Sequence, residues 1–479
     1  MRIILFGTGD YYNRYKKWFE DQEVIALLDN SRHKQYTFID GYEVLPPEEG
    51  SRLDYDAVVI LSFYVTQMKR QLISLGVDEN RIWHFYDLHW LLVGRTAVRP
   101  LQFFVDAEKI ITDKDPKASK ILLLSNDLTL GGPAIALFHA AITLNRCGYT
   151  VLYASMLDGP LKEKLVQNHI SVVVDENLQI ATMQETEWVN SFSLLICNTL
   201  NFYVFLSERS TKTPVIWWLH EAVFFYEGVN AKVIQQICMH NLKVVTAGSV
   251  PAAAVSRFLP DLLCGELLYG VADAMAEGIK ADSCDDKVDA SRETVSKVMC
   301  FITIGYLEPR KGQDLLIQAI RKLPDHVRSR CRFYIVGHGE TLFGEQIHSE
   351  SVDMKEIIFT GSVGRAEIHE LLSESDILIC PSRQDPMPTV AAEAMMHSVP
   401  CIVSDVTGTA AYIQDGEDGI VFPNEDAQAL ANKIEWCAEN PDRLSSMGNG
   451  ARKLYEEYFS MPAFEKHFMG LVEEILKLE

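Results

Sequence analysis

Short apolar runs alternate with longer amphipathic stretches along almost the whole chain. RIILFG, EVIALLD and DAVVILS come first; ILLLSN, TVLYAS, SLLICN, PVIWWLH and KVVTAG occupy the middle; CFITIG, RFYIVG, EIIFTG, DILICP and CIVSD follow. The runs are continuous rather than alternating. That predicts strands covered on both faces, hence parallel sheets layered with helices in an α/β fold. Two polar stretches, TDKDPKASK (112–120) and GIKADSCDDKVDASRETVSK (278–297), interrupt the pattern. They predict three units, 1–111, 119–280 and 298–455, and a terminal helical segment over 456–479 expected to pack back on the middle unit.

Length agrees with this division, because 479 residues exceed what one ordinary core organises. A formal charge of −22 argues against a nucleic-acid partner, which demands clustered Lys and Arg, and leaves at most a peripheral contact with a membrane. No apolar run approaches the ~18–20 residues that span a bilayer. MRIILFGTGD lacks the pattern of a signal peptide. Ten cysteines are scattered without a CxxC pair, and several, such as Cys197, Cys300 and Cys380, sit in apolar runs. Such usage points to buried thiols in a reducing compartment, with neither a disulfide framework nor a metal site. The expectation is a cytoplasmic protein.

The first unit opens with Gly7-Thr8-Gly9 directly after a strand, and Asp29 closes the next strand. This is the start of a dinucleotide fold, in which a tight turn lets a phosphate approach a helix N-terminus and the acid meets a ribose. Tyr12 stands where the third glycine belongs. Two readings stay open: a Rossmann-like module that scaffolds or binds a partner or a second copy, and a site for a nucleotide, sugar nucleotide or CoA.

Later turns carry more chemistry. Gly131-Gly132-Pro133 follows the first strand of the middle unit and opens an apolar helix, offering backbone amides to an anion. His220 ends the buried run of WWLHE (217–221), where α/β sheets face their ligands. In GYLEPRKGQDLLIQAI, Arg310 and Lys311 form a cationic pair at a glycine-bounded strand–helix junction suited to a polyphosphate. Gly337 in IVGHGE and Gly361 in FTGSVGR end two further strands with turns against which a nucleotide can lie. The stretch DPMPTVAAEAM then leaves the strand DILICPS: Pro388 pre-sets a helix over Thr389–Met396, whose N-terminus favours phosphate. Glu393, one turn in, can accept from a vicinal diol such as ribose, and Asp385 can reach a hydroxylated ring.

These residues resemble retaining glycosyltransferases of family four, over about 119–479. The resemblance implies the GT-B fold: two Rossmann-like domains facing a cleft, here with an additional small Rossmann-like domain before them. That first domain is similar to the one preceding the transferase part of some bacterial sugar O-acyltransferases. The acid-x7-acid spacing from Asp385 to Glu393 carries the likeness, with RKG and the glycine turns before it in order. By resemblance, Asp385 contacts the donor sugar, Glu393 the nucleotide ribose, Lys311 the diphosphate, His220 the transferred sugar, and Gly131-Gly132 the donor phosphates. Two departures stand out: the first acid is usually Glu, and an Arg often stands where this chain has Tyr306.

The expected activity is metal-independent, retaining transfer of a sugar from a UDP- or GDP-linked donor to a carbohydrate, lipid-linked or protein hydroxyl, in bacterial surface-polysaccharide or glycoconjugate assembly at the inner face of the membrane. No further cofactor is called for. His220, Lys311 and Asp385 would serve catalysis; Gly131, Gly132, Arg310, Gly337, Gly361, Pro388, Thr389 and Glu393 would hold the donor. Other readings are a sugar phosphorylase or NDP-sugar hydrolase of the same fold, a nicotinamide-dependent sugar-nucleotide oxidoreductase built on Gly7, Gly9 and Asp29, and an inactive assembly protein.

Overall fold

The structure, a computed structural model, describes residues 1–113, 119–274, 298–339 and 341–477. The polar break at 278–297 and the centre of the break at 112–120 lie outside the described residues. The chain forms two compact units, one of Met1–Val245, Ala253–Gly265 and Ile475–Glu479, the other of Thr246–Ala252 and Glu266–Glu474. No helix among the described residues is long and apolar enough to cross a membrane.

Every apolar run named above became a strand; the central ones bury side chains of both parities, whereas the edge strand Ile357–Gly361 is only partly buried. The first unit carries two sheets. One lines up Phe38–Ile39, Tyr42–Leu45, Glu23–Leu28, Arg2–Phe6, Ala57–Ile60 and Ile82–His84. The other lines up Gly265–Glu266, Leu242–Thr246, Val215–Leu219, Leu194–Asn198, Lys120–Ser125, Thr150–Ser155, Ser171–Val174 and Gln102–Phe104. The second unit's sheet runs Ile357–Gly361, Cys331–Val336, Met299–Ile304, Ile377–Cys380, Cys401–Ser404 and Ile420–Phe422.

Each sheet has the same logic. Its first main strand lies in the middle, the next strands are added on one side, and the chain then crosses over to build the other side. In the second sheet, for example, Lys120–Ser125 pairs in parallel with Thr150–Ser155 on one edge and with Leu194–Asn198 on the other. In the third, Met299–Ile304 is flanked by Cys331–Val336 and Ile377–Cys380. Such a reversal leaves the loops after the two central strands diverging, with a crevice between them at the carboxyl ends.

Two features differ from the sequence expectation. Gln102–Phe104 pairs antiparallel with Ser171–Val174, so residues assigned to the first unit of 1–111 complete the second sheet. The strand is short and solvated on an edge, and nothing in its pattern says which sheet it joins. The small first sheet, moreover, has no separate core on its inner face. Ile3, Leu5, Leu27 and Val59 belong to the same buried cluster as Leu122, Cys197, Trp217 and Tyr203 of the second sheet, while Ile4, Phe6, Val58 and Ile60 pack on the opposite side with Met68 and Leu72. Tyr203 donates to the Tyr86 carbonyl at 3.4 Å, and Tyr86 to the Phe225 carbonyl at 3.0 Å, so polar tips close the seam.

This shared core generates a test. Burying a large aromatic side chain is worth roughly 1.5–3 kcal/mol, and removing residues 1–95 uncovers several at once, Tyr203 among them. The shortened chain is expected to elute as aggregate in size-exclusion chromatography; a monomer that melts cooperatively near the full-length temperature would show that the two sheets fold independently.

Candidate functional site

In the second unit the central-strand loops are held together by close backbone approach. Gly312 adopts φ +71°, and a Cβ there would lie 2.1 Å from the Pro381 carbonyl oxygen. The loop carrying Lys311 therefore lies directly on the end of the neighbouring strand Ile377–Cys380. Lys311 Nζ meets Asp385 Oδ2 at 2.6 Å. Both side chains are largely buried, which makes this a charge-assisted contact rather than a solvated surface pair. Asp385 is itself clamped: its backbone bridges to Thr407, and its carbonyl accepts from the Gly408 amide at 3.0 Å.

Two arginines brace the same loops. Arg383 makes a fork with both oxygens of Asp314, each at 2.7 Å, and reaches Glu425 with Nε, also at 2.7 Å. Arg310 donates to the Gln384 carbonyl at 2.9 Å and pairs with Glu308. The predicted cationic pair thus divides. Lys311 faces the acid, whereas Arg310 laces one loop to the other.

Thr389–Met396 forms the expected helix, with Pro388 as its N-cap and no side chain capping it. Alanines at 391, 392 and 394 are buried, and Glu393 goes down with them, 2% exposed. Arg365, the residue after the glycine turn FTGSVG, brings NH2 within 2.6 Å of Glu393 Oε1. Burial pushes the Glu393 carboxyl up and the Arg365 guanidinium pulls it back. The second oxygen, Oε2, is buried without a partner. A buried acceptor left open at a helix start is a group waiting for donors. Tyr269 feels both Asp385 and Glu393, which places the two acids in one electrostatic environment.

Gly337 and Gly361 line a cavity of about 630 Å³ with His338, Phe359 and Thr360. Gly337 has φ +148°, and a Cβ there would sit 2.0 Å from the Gly305 carbonyl oxygen, so these two strand ends touch through bare backbone. Tyr306 is largely exposed beside His338.

In the first unit, the second sheet's crevice holds a relay. Gly131 caps the helix Gly132–Arg146, as predicted. Asn198, at the end of the adjacent central strand, donates its amide to the Pro133 carbonyl at 2.9 Å. That contact orients the carboxamide, so its Oδ1 accepts from His220 Nε2 at 2.7 Å and leaves Nδ1 as the bare acceptor. Burial drives the His220 pKa down to about 3, and the ring is neutral. Glu221, partly buried, accepts from the Leu200 and His220 amides at 3.0 and 2.9 Å, and burial raises its carboxyl to about 7. Thr199 between these groups sits at φ 89°, ψ 161°, a region that costs a β-branched residue of order 1–3 kcal/mol.

The small sheet's glycine turn is differently committed. A Cβ on Gly7 would lie 2.6 Å from the Leu61 carbonyl oxygen, so its two central-strand loops pack directly together. Asp29 accepts from the Thr8 amide at 3.1 Å, the Thr8 hydroxyl and the Ser31 amide at 2.8 Å, with Lys34 at 3.6 Å. The acid expected to meet a ribose thus ties the glycine turn, through Thr8, to its own loop, through Ser31. Gly9 alone opens to space.

Comparison with known proteins joins these geometries to a family. Residues 117–247 match the model described as Glycosyl-transferase family 4, residues 286–454 that of Glycosyl transferases group 1, and residues 1–83 that of C2185-like, N-terminal. Anabaena Alr3699/HepE, solved in complex with UDP, superimposes with a TM-score of 0.61 at 19% identity, over 74% of this chain and 100% of that one. The fold is GT-B. The two glycosyltransferase matches cover most strands of the second sheet and all of the third. The alpha-D-kanosaminyltransferase of Streptomyces kanamyceticus is 27% identical over 178 residues, 36% of this chain and 45% of that protein. The lipopolysaccharide glucosyltransferase WaaG of Escherichia coli is 29% identical over 156 residues, 32% and 41% of the two chains. The chain spans about half the length, or less, of these curated relatives.

Asn198, Arg365, Arg383 and Glu221 escaped the sequence reading. Arg365 and Glu221 lie inside the quoted motifs FTGSVGR and WWLHE and were within reach; Asn198 and Arg383 acquire meaning only through partners far along the chain.

Glu221 supplies a pH test. Its folded pKa lies above the ordinary value of 4.5, so its protonated form favours the folded state. That contribution is complete below about 4.5 and is lost as pH rises through about 7. Relative to Glu221→Gln, the wild-type melting temperature should therefore decline across this interval; parallel curves would mean the carboxyl is not perturbed.

Proposed function

We propose that this chain is a retaining glycosyltransferase that moves a sugar from a nucleotide-diphosphate donor to a hydroxyl acceptor, in the assembly of a cell-surface polysaccharide or glycoconjugate. The observation that carries it is the partnerless Oε2 of buried Glu393, one turn into a helix whose approach holds the Lys311–Asp385 pair. A carboxylate so placed suits the vicinal hydroxyls of a ribose. Its Oε1 is already fixed by Arg365, which aims the free oxygen.

The rest of the donor follows from this anchor. The cavity beside Gly337 and Gly361 has the size and flat glycine walls for a nucleobase. Lys311 and the amides at the start of the Thr389–Met396 helix take the diphosphate, and Asp385, held by Lys311, presents its other oxygen to sugar hydroxyls. Gly131, Gly132 and His220 are assigned to the donor phosphates and the sugar. His220 is neutral and has only Nδ1 to offer, so it accepts a hydrogen bond from a sugar hydroxyl and does not act as a cation.

In the reaction the anomeric carbon–oxygen bond to the diphosphate breaks, and the electron pair leaves with the phosphate. Lys311 and the helix amides stabilise that growing charge, so no metal ion has to. The acceptor oxygen bonds to the anomeric carbon on the face the phosphate leaves, and its proton passes to the departing phosphate oxygen. Configuration is retained. The names of the relatives, a kanosaminyltransferase and a lipopolysaccharide glucosyltransferase, and the UDP held by the Anabaena protein, support a nucleotide-sugar donor. A cytoplasmic site of action fits nucleotide sugars as substrate.

Thermal shift against UDP-, GDP-, ADP- and dTDP-sugars should single out one nucleotide. With that donor, Lys311→Ala and Glu393→Ala should each reduce turnover by ~10²–10³, with far-UV circular dichroism confirming that each variant is folded at the assay temperature. Unimpaired turnover in both variants would end this assignment.

A further inference from the structure

The glycine turn of the second sheet is shaped by a residue from the small first sheet. Arg14 lies on the helix Asp10–Tyr15, directly after Gly7-Thr8-Gly9. Its guanidinium reaches Asp127 Oδ2 at 3.2 Å, and both side chains are mostly buried. Asp127 belongs to the loop between Lys120–Ser125 and the Gly131 turn. Its other oxygen, Oδ1, accepts from the Thr129 amide at 3.0 Å and the Thr129 hydroxyl at 2.6 Å. The Thr129 oxygen in turn accepts from the Gly131 amide at 3.3 Å. One carboxylate thus folds the turn with one oxygen, while the other takes the Asn126 side-chain amide at 3.1 Å and a cation from the first domain.

The cation is itself held in place. Tyr11 lies beneath the guanidinium at 5.5 Å and packs on Phe63 and Phe85, with ring centroids 4.4 and 4.6 Å away. Arg14 therefore has little freedom to leave Asp127, and the aromatic bed favours its charge. Without it, a carboxylate held only by neutral donors, Asn126 and Thr129, would stand one turn from amides offered to an anion, and would repel that anion. With it, the local charge cancels while the Asx-type turn persists.

We propose that Arg14 is a positioning residue for the donor-phosphate turn, so that the small N-terminal sheet sets the affinity of the turn for the diphosphate by neutralising and orienting Asp127. The inference rests on the assignment of Gly131 and Gly132 to the donor phosphates made above. It gives the first domain a part in donor binding that needs no ligand of its own.

The competing explanation is that Arg14 merely glues two sheets together. Glu176 is the matched control: it ties Lys17 and Arg99 at 3.6 and 3.3 Å along the same seam and touches no part of the turn. Steady-state kinetics with the full-length protein should show Arg14→Ala, and Arg14→Gln should the first fold poorly, raising the donor KM about tenfold with kcat within about twofold. Arg14→Lys should remain near wild type. Adding Asp127→Asn to Arg14→Ala removes the repulsion, keeps an acceptor for Thr129, and should recover most of the lost affinity; glue alone predicts a double variant no better than the single. A KM unaltered in both Arg14→Ala and Arg14→Gln, or raised equally by Glu176→Gln, overturns the proposal. Should the wild type turn over no nucleotide sugar, the preceding functional reading fails by itself. Hydrogen exchange then decides on Arg14: faster exchange of the Thr129 and Gly131 amides in Arg14→Ala but not in Glu176→Gln upholds its hold on the turn, and unchanged exchange refutes it.

Discussion

Strand order is the constraint on which the molecule depends. In each of the three sheets the first main strand lies in the middle, and the chain builds outward on one side before returning to the other, with Gln102–Phe104 added to the second sheet as an edge strand. The two loops at the point of return cannot cover one another with regular structure, and they end up side by side at the carboxyl edge. What fills that gap decides what the sheet does. In the third sheet it is an ion pair, Lys311 with Asp385. In the second it is a carboxamide that joins Pro133 to His220. In the first it is backbone against backbone, Gly7 on Leu61, with Asp29 tying the glycine turn to its own loop. Two crevices keep polar groups in hand; one is closed.

Charge is handled differently in the two units. The second unit sets its acids against cations: Lys311 with Asp385, Arg365 with Glu393, Arg383 with Asp314. Breaking such a pair leaves an uncompensated charge in a poor solvent, so each partner enforces the geometry of the other. The second sheet of the first unit instead keeps His220 neutral and raises the Glu221 carboxyl toward neutrality, both through burial. One arrangement suits gripping an anion; the other suits hydrogen bonding to hydroxyls.

The first domain is joined to its neighbour by a shared core and by charge pairs along the seam. Its inner face has become part of the neighbouring core, and its crevice end presents Arg14 and aromatic rings rather than an open pocket.

The sequence by itself determined the layered α/β architecture, because continuous apolar runs such as ILLLSN and DILICPS are stable only with both faces covered. It also determined the helix at Thr389–Met396 and the chemical kinds of residue at its approach, since proline, small residues and an acid act over a few positions. Short edge strands such as Gln102–Phe104 and the merging of the first two cores were decided by the tertiary structure, since their stabilising partners lie far along the chain. The same holds for the site: WWLHE displayed His220, but only folding brought Asn198 to it, and RKG displayed two cations, of which packing turned one toward Asp385 and the other into a brace. Residue type is a local property, whereas the direction in which a charged side chain can lie without losing its solvation is set by every group that surrounds it.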